Sequence, residues 1–447
     1  MRKGMSLFLA AVTMAATVAG AGVCEVHADG KELRFLDVSP SETRQKYYEE
    51  TFAKFEEETG ISVSYESVPW DDAANKITVL GASGQLPDVM TVWSGWLGQY
   101  TSAGWVIPLD DYVGDTRGEY TDAVNKLLWR SEEDRYGHIY TVPDGLMVKG
   151  CALSAAPWAE EAGLDLDPSK GWDYDDYFDA VAKLTNKDEK HYGASYRGAR
   201  GALDPLLVYL QSFTDGNTYD QEGNILINSD ECLEAFKKWT DVYLNGYAPE
   251  DAINWGFTEM VDNFTGGLTG TLINDSEVLP TCANNMEEGT WGVMPIPKST
   301  KDGKIYNTIN APYAYSISGN SENPDEAWQL IQFMTNAENN IEYCKLTGEI
   351  PIKKDVENDD TYGTDGPYAA FVQQMNDPAL AVPTTFGPFD YTDLHQGMFH
   401  EEIQKYLLGD EDAETALTTI TDELQSRMKQ FIEENPDTKV ETALTLK

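Results

Sequence analysis

The sequence predicts an α/β fold built around parallel sheet, and three observations predict it. Leu33 to Val38 is a short apolar run, and after it Tyr48, Phe52 and Phe55 recur at i, i+4 and i+7, the buried stripe of an amphipathic helix. Gly60 stops that helix, and Ile61, Val63 and Tyr65 then alternate as a half-buried strand does. Strand, helix and strand in so short a stretch read as a βαβ unit, which requires parallel pairing. The alternation continues downstream, with no internal repeat or low-complexity linker to interrupt it.

Each element has its own local signal. Ser39-Pro40-Ser41-Glu42 opens the first helix, since Pro is tolerated in a first turn. Asp72 to Ala82 reads as helix. The turn signals Gly84 and Pro87 then lead into the strand Asp88 to Val92. Tyr136 to Pro143 reads as a strand leaving a turn, and Pro157 to Gly163 as a short helix closed by glycine. Trp172-Asp173 caps a helix that places Tyr174, Tyr177, Phe178, Val181 and Leu184 on one face. Helices follow at Leu203 to Phe213 and Asp230 to Leu244, with turn chemistry from Asp215 to Asn228 between them. Thr269 to Ile273 and Tyr313 to Ile317 are strands. Asn323-Pro324 caps and starts a helix carrying Ala327, Trp328, Ile331 and Met334. Two more helices, Leu394 to Leu408 and Glu414 to Phe431, end the pattern, and the polar tail from Glu433 is expected to fray.

A chain of 447 residues has room for two or three lobes, and 41% apolar content supplies real cores. The net charge of -44, with no Lys/Arg cluster to offset it, argues against a nucleic-acid partner. Acidity favours a soluble protein with a neutral or cationic ligand, although it governs solubility more firmly than function. Arg2 and Lys3 precede an uncharged run from Met5 to Val23, the pattern of an export signal expected to occupy residues 1–28. Two processing routes stay open: Ala21-Gly22-Val23-Cys24 resembles a lipoprotein site, and Val26-His27-Ala28 suits ordinary signal peptidase. An extracytoplasmic location follows from either. Cys151, Cys232, Cys282 and Cys344 are scattered without C-x-x-C spacing, so buried thiols are expected over a disulfide framework.

Much chemistry is missing. No phosphate-binding G-x-x-x-x-G-K-[ST] loop occurs, and Gly193-Ala194-Ser195-Tyr196-Arg197 fails the G-x-S-x-G pattern at its last position. His400-Glu401-Glu402 begins like a zinc helix, but position 404 is Gln. Asp220, Glu222 and Asn224 alternate as in a calcium loop, yet Gly223 comes one place early and no terminal Glu follows at the right offset. No metal and no cofactor is therefore expected. With 76 acidic residues, a pair of carboxylates suited to glycoside hydrolysis always looks available and carries little weight.

Five segments, in order, resemble the extracellular solute-binding proteins of ABC importers, in the carbohydrate branch that includes maltose-binding protein. They are Phe52-Ala-Lys-Phe-Glu-Glu-Glu-Thr-Gly-Ile-Ser-Val; Gly84-Gln-Leu-Pro-Asp-Val through Ala103-Gly-Trp-Val-Ile-Pro-Leu; Tyr136-Gly-His-Ile-Tyr-Thr-Val-Pro; Trp158-Ala-Glu-Glu-Ala-Gly-Leu with Gly171-Trp-Asp-Tyr; and Phe333-Met-Thr-Asn-Ala-Glu-Asn followed by Gly348-Glu-Ile-Pro. One departure is local: Leu153-Ser154-Ala155-Ala156-Pro157 replaces the aromatic-Tyr-Asn-Lys-Asp run common in that family. The resemblance implies a two-lobe periplasmic-binding-protein fold of type II, with discontinuous lobes joined by hinge strands. The expected lobes are 29–143 with 313–358, and 144–312 with 359–447. It also implies a monomer that captures a carbohydrate, whether oligosaccharide or polyol, in the cleft and delivers it to membrane permease subunits, without catalysis. The competing class is a secreted glycoside hydrolase.

Sugars present apolar C–H faces and hydroxyl rims, so their sites need aromatic plates and fixed polar partners. Trp93 and Trp96 follow a strand end, where parallel sheets offer ligand sites. Core packing is the bland alternative for both. Trp70 and Asp71 follow the second strand in the same kind of position. Asp144-Gly145 follows the crossing strand and is either a hydroxyl-binding group or a plain turn. The family resemblance adds Arg197 of Arg197-Gly198, Trp255, Asn274 and Asp275, and Tyr313 at a second crossing. Asp390 and Tyr391 end the Gly/Pro-broken aromatic loop Phe386 to Tyr391. Trp158, Trp172, Trp239 and Trp328 sit on helix stripes or at helix starts and read as packing.

Overall fold

The computed structural model describes residues 31–446 except 155, 165–166, 168–170, 312, 355, 357–358, 364–365, 390, 392 and 437–438, together with the side chains of 70, 71, 152–154, 156–157 and 396. The export signal and its two cleavage routes lie outside the described residues. Among the described residues, two five-stranded sheets and a small three-stranded one organise the chain.

The first sheet is ordered β2-β1-β3-β11-β4, from β1 (Glu32–Asp37), β2 (Ser62–Ser67), β3 (Val89–Trp93), β4 (Val142–Pro143) and β11 (Tyr313–Ile317). β1 pairs parallel with β2 and β3, as the βαβ reading requires. β11 returns antiparallel between β3 and β4. The helix Glu42–Thr59 crosses between β1 and β2. Ser41 caps it, accepting from Arg44 N at 3.1 Å, and Gly60 ends it at φ 74. Ser39 and Pro40 therefore lie before the cap. Tyr48 and Phe52 from this helix meet Phe35 of β1 at ring-centroid distances of 4.8 and 5.1 Å.

The second sheet is ordered β10-β5-β7-β6, with β8 also paired to β5; it comprises β5 (Met147–Ser154), β6 (Tyr192–Ala194), β7 (Thr269–Asp275), β8 (Trp291–Pro295) and β10 (Ile309–Asn310). β5 pairs antiparallel with β7, β8 and β10. The helices Tyr174–Leu184, Leu203–Gln211, Asp230–Leu244, Phe399–Leu408 and Ala413–Glu434 contribute to a core around Leu206, Phe236, Ile403 and Ile420. Asp173 caps the first of these through a reciprocal box with Asp176. The third sheet is β9 (Ile305–Tyr306), β12 (Leu380–Val382) and β13 (Leu444–Thr445).

The chain leaves the first sheet at β4 and enters the second at β5 after only residues 144–146. It returns from β10, which ends at Asn310, to β11, which begins at Tyr313. A third passage brings Ile350 against Leu146, with N–H···O bonds of 2.8 and 2.9 Å in both directions.

The structure differs from the sequence reading first in its elements. Tyr136 to Pro143 is not one strand: the helix Trp129–Tyr136 ends at Gly137 (φ 82), and only Val142 and Pro143 pair as β4. The reason is Glu132, whose carboxylate accepts from Tyr140 N (2.7 Å) and Thr141 N (3.2 Å) and so replaces ladder bonds there. Asn323 starts its helix without a side-chain cap bond. The tail does not simply fray, because Leu444 and Thr445 pair with β12, and Ala443 N donates to Asn217 Oδ1 at 2.8 Å. Cys151, Cys232, Cys282 and Cys344 are buried free thiols. No helix among the described residues is long and apolar enough to cross a membrane.

Candidate ligand-binding site

The end of β3 gathers aromatic residues. Trp93 is its last residue and stands directly opposite Tyr313, the first residue of β11. Trp93 is 38% exposed, rare for a side chain of that size. Trp96, in the 3-10 turn Ser94–Trp96, meets it edge-on with centroids 5.9 Å apart at 77°. The six-membered ring of Trp93 lies so close over Gly95 that an added Cβ would sit 2.1 Å from Cζ3. Only glycine leaves room for that ring. Trp96 itself is half-buried and tilts against Tyr100 at 6.2 Å. Trp93, Trp96 and Tyr313 thus form one aromatic wall at the carboxyl end of a central strand. Trp70 and Asp71 fall at the start of the helix Trp70–Ser83, and their side chains lie outside the described residues.

Asp144 is placed differently from the sequence reading. It is fully buried and faces a polar network, not open space. Tyr343 OH donates to Asp144 Oδ2 at 2.7 Å, and Arg44 Nη2 lies 3.6 Å from the same oxygen. Arg44 also pairs with Asp37, itself fully buried, at 3.3 Å. Its guanidinium sits 5.3 Å from the Tyr313 ring centroid, bracing that plate from behind. Glu349 is 2% exposed and packs under Gly145, with no hydrogen-bond partner for Oε2 among the described residues. Burial pushes the Asp144 carboxyl up to about 6, with Arg44 and the Tyr343 bond acting the other way. Burial, reinforced by the negative field of Asp144, holds Glu349 well above the usual carboxylate range. Three acids, Asp37, Asp144 and Glu349, and one arginine thus gather at the first passage between the sheets. Arg44, Tyr343 and Glu349 carried no recognisable signal in the sequence, because their partners are distant along the chain.

The second sheet supplies a polar wall. Asn274 and Asp275 end β7. Lys149 of β5, opposite Asp275 in register, binds both of its oxygens at 3.1 and 3.3 Å. Burial works against the charge on Lys149, but Asp275 and Asp204 outweigh it and raise its pKa. Lys149, Ser195, Arg197, Asp204 and Asn274 line one cavity of about 40 Å³, backed by Trp239 and Tyr177. That is room for a few water-sized atoms. Lys149 and Asp204 were not expected from the sequence; a lysine inside an apolar strand was the available signal for the first. Trp239, read as packing, is 9% exposed and closes the back of this cavity.

Trp255 requires a correction. It is 4% exposed, packs within the second core, and donates Nε1 to Asp251 Oδ2 at 3.3 Å. Its position just past the turn Glu250–Asn254 buries the ring between core elements instead of presenting a face. In the loop 386–391, Phe386 stacks on Phe399 at 4.9 Å, and Tyr391 leans on Phe386 at 5.0 Å. Asp390 lies outside the described residues. Among the described residues, no group of three His, Cys, Asp or Glu side chains is placed to hold a metal ion.

Residues 50–370 match the family model of a bacterial extracellular solute-binding protein. The chain belongs to that family. It is 24% identical over 360 residues to a binding protein of Brucella abortus, covering 79% of this chain and 84% of that one. It is 22% identical over 342 residues to the maltotriose-binding protein of Pyrococcus abyssi, covering 74% of this chain and 68% of that one. The fold superimposes on the sugar-binding protein MalE of Xanthomonas citri with TM-score 0.73 at 18% identity, over 91% of this chain and all of that one. The fold is accordingly the two-lobe binding-protein fold with α/β lobes. Its family is one of extracytoplasmic solute-binding components, not of enzymes.

Proposed function

We propose that this solute-binding protein captures a carbohydrate, an oligosaccharide or a polyol, in an interlobe cleft and hands it to the permease subunits of an ABC importer. The observation that carries the reading is the aromatic wall of Trp93, Trp96 and Tyr313, with one tryptophan left substantially exposed at a strand end. An indole face covers the C–H face of a pyranose, and the polar wall of Lys149, Arg197, Asn274 and Asp275 supplies hydroxyl partners. The maltotriose-binding relative supports the ligand class.

The proposed lobes are 29–143 with 313–358, and 144–312 with 359–447, a division that the two separate five-stranded sheets support. The short passages at 144–146, after Asn310 and near Ile350 act as the hinge. Ligand contacts to both walls at once favour closure, and the closed form is what a permease senses. The protein acts as a monomer, held at the cell surface by Cys24 or released after Ala28. A thermal-shift screen of mono-, di- and oligosaccharides and polyols tests the ligand class, and small-angle scattering reads the closure. Stabilisation and compaction without turnover support the reading. Release of shortened sugar in proportion to protein would point to a hydrolase instead. No stabilisation by any sugar or polyol at millimolar concentration would overturn it.

A further inference from the structure

The buried side-chain atom that the polar wall leaves without a partner among the described residues is a donor. Asn274 is 5% exposed; its Oδ1 accepts from Asp275 N at 2.9 Å, while its Nδ2 is buried with no partner among the described residues. Arg197 lines the same cavity. Its Nε donates to Arg200 O at 2.8 Å, and its guanidinium lies against Gly201, where φ is +86° and an added Cβ would fall 2.4 Å from Cζ. The backbone thereby fixes the plane of the fork. No carboxylate among the described residues lies within ion-pair distance of it, and burial draws its pKa below the ordinary arginine value. This half-buried guanidinium has acids in its field, Asp204, Asp275 and Glu277, but none in direct contact among the described residues.

The acceptors nearby are already engaged. Both oxygens of Asp204 face His395 Nε2, at 3.0 and 3.1 Å. Both oxygens of Asp275 hold Lys149. Ser195 Oγ donates to Met260 O at 2.6 Å. A neutral hydroxyl placed here could accept from Arg197 and Asn274, but it would have to share a carboxylate or hydroxyl oxygen that is already engaged to place its own proton. A carboxylate accepts only, is planar, and matches the fork of an arginine with two parallel bonds. A doubly charged phosphate suits the wall less well, because Asp204, Asp275 and Glu277 stand close to Arg197 in its electrostatic surroundings.

We propose that the cavity lined by Arg197, Asn274 and Lys149 receives a carboxylate, so that the transported carbohydrate is an acidic sugar carrying a uronic- or aldonic-acid group. This rests on the carbohydrate reading above and narrows its substrate class. The net charge of -44 opposes anion approach only at long range, where salt screens it; the contact is decided by the donors at the wall.

The test is isothermal calorimetry with matched pairs: galacturonate against galactose, glucuronate against glucose, and trigalacturonate against maltotriose. The acidic member of at least one pair should bind about tenfold tighter or more. R197Q should erase that preference, R197K should retain part of it, and N274D should penalise the acid by facing it with a second carboxylate. Unliganded melting temperatures check that each variant folds. Equal or tighter binding of the neutral members overturns the inference while leaving the carbohydrate reading in place. A preference that survives unchanged in folded R197Q and N274D overturns the assignment of the site. Failure of every saccharide, acidic and neutral, removes both readings together.

Discussion

Two tryptophans separate an exposed aromatic face from a core anchor at the scale of single residues. Trp93 is 38% exposed at a strand end, whereas Trp255 is 4% exposed inside the second core. Trp93→Ala removes a face that the folded protein does not need internally. It should weaken sugar binding by about 1 kcal/mol or more, the scale of a buried anchor in a complex, and leave the unliganded melting temperature nearly unchanged. Trp255→Ala removes a packed ring and leaves a cavity, so it should cost about 3–5 kcal/mol of stability. Calorimetric titration and denaturant unfolding of both variants check the contrast. A Trp255→Ala protein of normal stability with lost affinity would return that residue to the site. The sequence could name both tryptophans but not tell them apart. Position after a strand or turn says where a backbone goes; exposure depends on what the rest of the chain lays over the ring. The same holds for Asp144, whose place beside Gly145 is visible in sequence, while its partners Arg44 and Tyr343 are distant along the chain.

At the scale of elements, the long helices with a clear stripe were legible because capping and periodicity are local, whereas Trp129–Tyr136, Phe257–Thr265 and Ala337–Thr347 were not read as helices. Ser41, Asp173, Ser229, Asn336 and Asp412 each cap a helix in the structure by accepting from its first-turn N–H groups. The central strand β5 was not legible. Lys149 and Gly150 interrupt its apolar run, yet both are required by contacts from elsewhere. Lys149 pairs with Asp275, and a Cβ at Gly150 would meet Phe371 at 2.5 Å. The first passage shows the same constraint. An added Cβ at Gly145 would lie 2.1 Å from Glu349 Oε2 and 2.7 Å from Glu349 Cβ. Glu349 cannot withdraw easily, because its N donates to Cys344 O at 3.1 Å and its O accepts from Tyr362 OH at 2.9 Å. Gly145→Ala should therefore destabilise the protein by about 1–3 kcal/mol through overpacking. Differential scanning calorimetry reads this directly, and an unchanged melting temperature would show that the passage is looser than its contacts imply.

Across the whole molecule, buried acids set the dependence of stability on pH, and the sign is opposite to that of a typical surface-paired carboxylate. Burial raises Asp144 to about 6 and Glu132 to about 7. In the unfolded chain both titrate near 4. Between about pH 4 and 7 the folded protein thus binds more protons than the unfolded one, so stability falls as pH rises through that window and grows as pH is lowered. Glu349, held well above its ordinary range, acts in the same direction. His400 opposes it: burial lowers its pKa, so its contribution is lost as pH falls below about 6.5. That ring is only half-buried, and two or three buried carboxyls outweigh it. Surface acids held low, such as Asp122 with Lys126 and Asp359 with burial offset by Lys345 and the Thr361 N–H, lose their stabilisation only when pH drops below about 4. Protonation also relieves self-repulsion in a chain of net charge -44. The melting temperature should therefore rise from pH 7.5 to a maximum near pH 5 and fall at lower pH. Asp144→Asn and Glu132→Gln should each flatten the rise between pH 5 and 7, because each removes one titrating carboxyl from the folded interior. A melting temperature that declines steadily from pH 7.5 downward, in the native protein and both variants alike, would mean that these carboxyls are ionised in the folded state and that Arg44 and the backbone donors around Glu132 outweigh their burial.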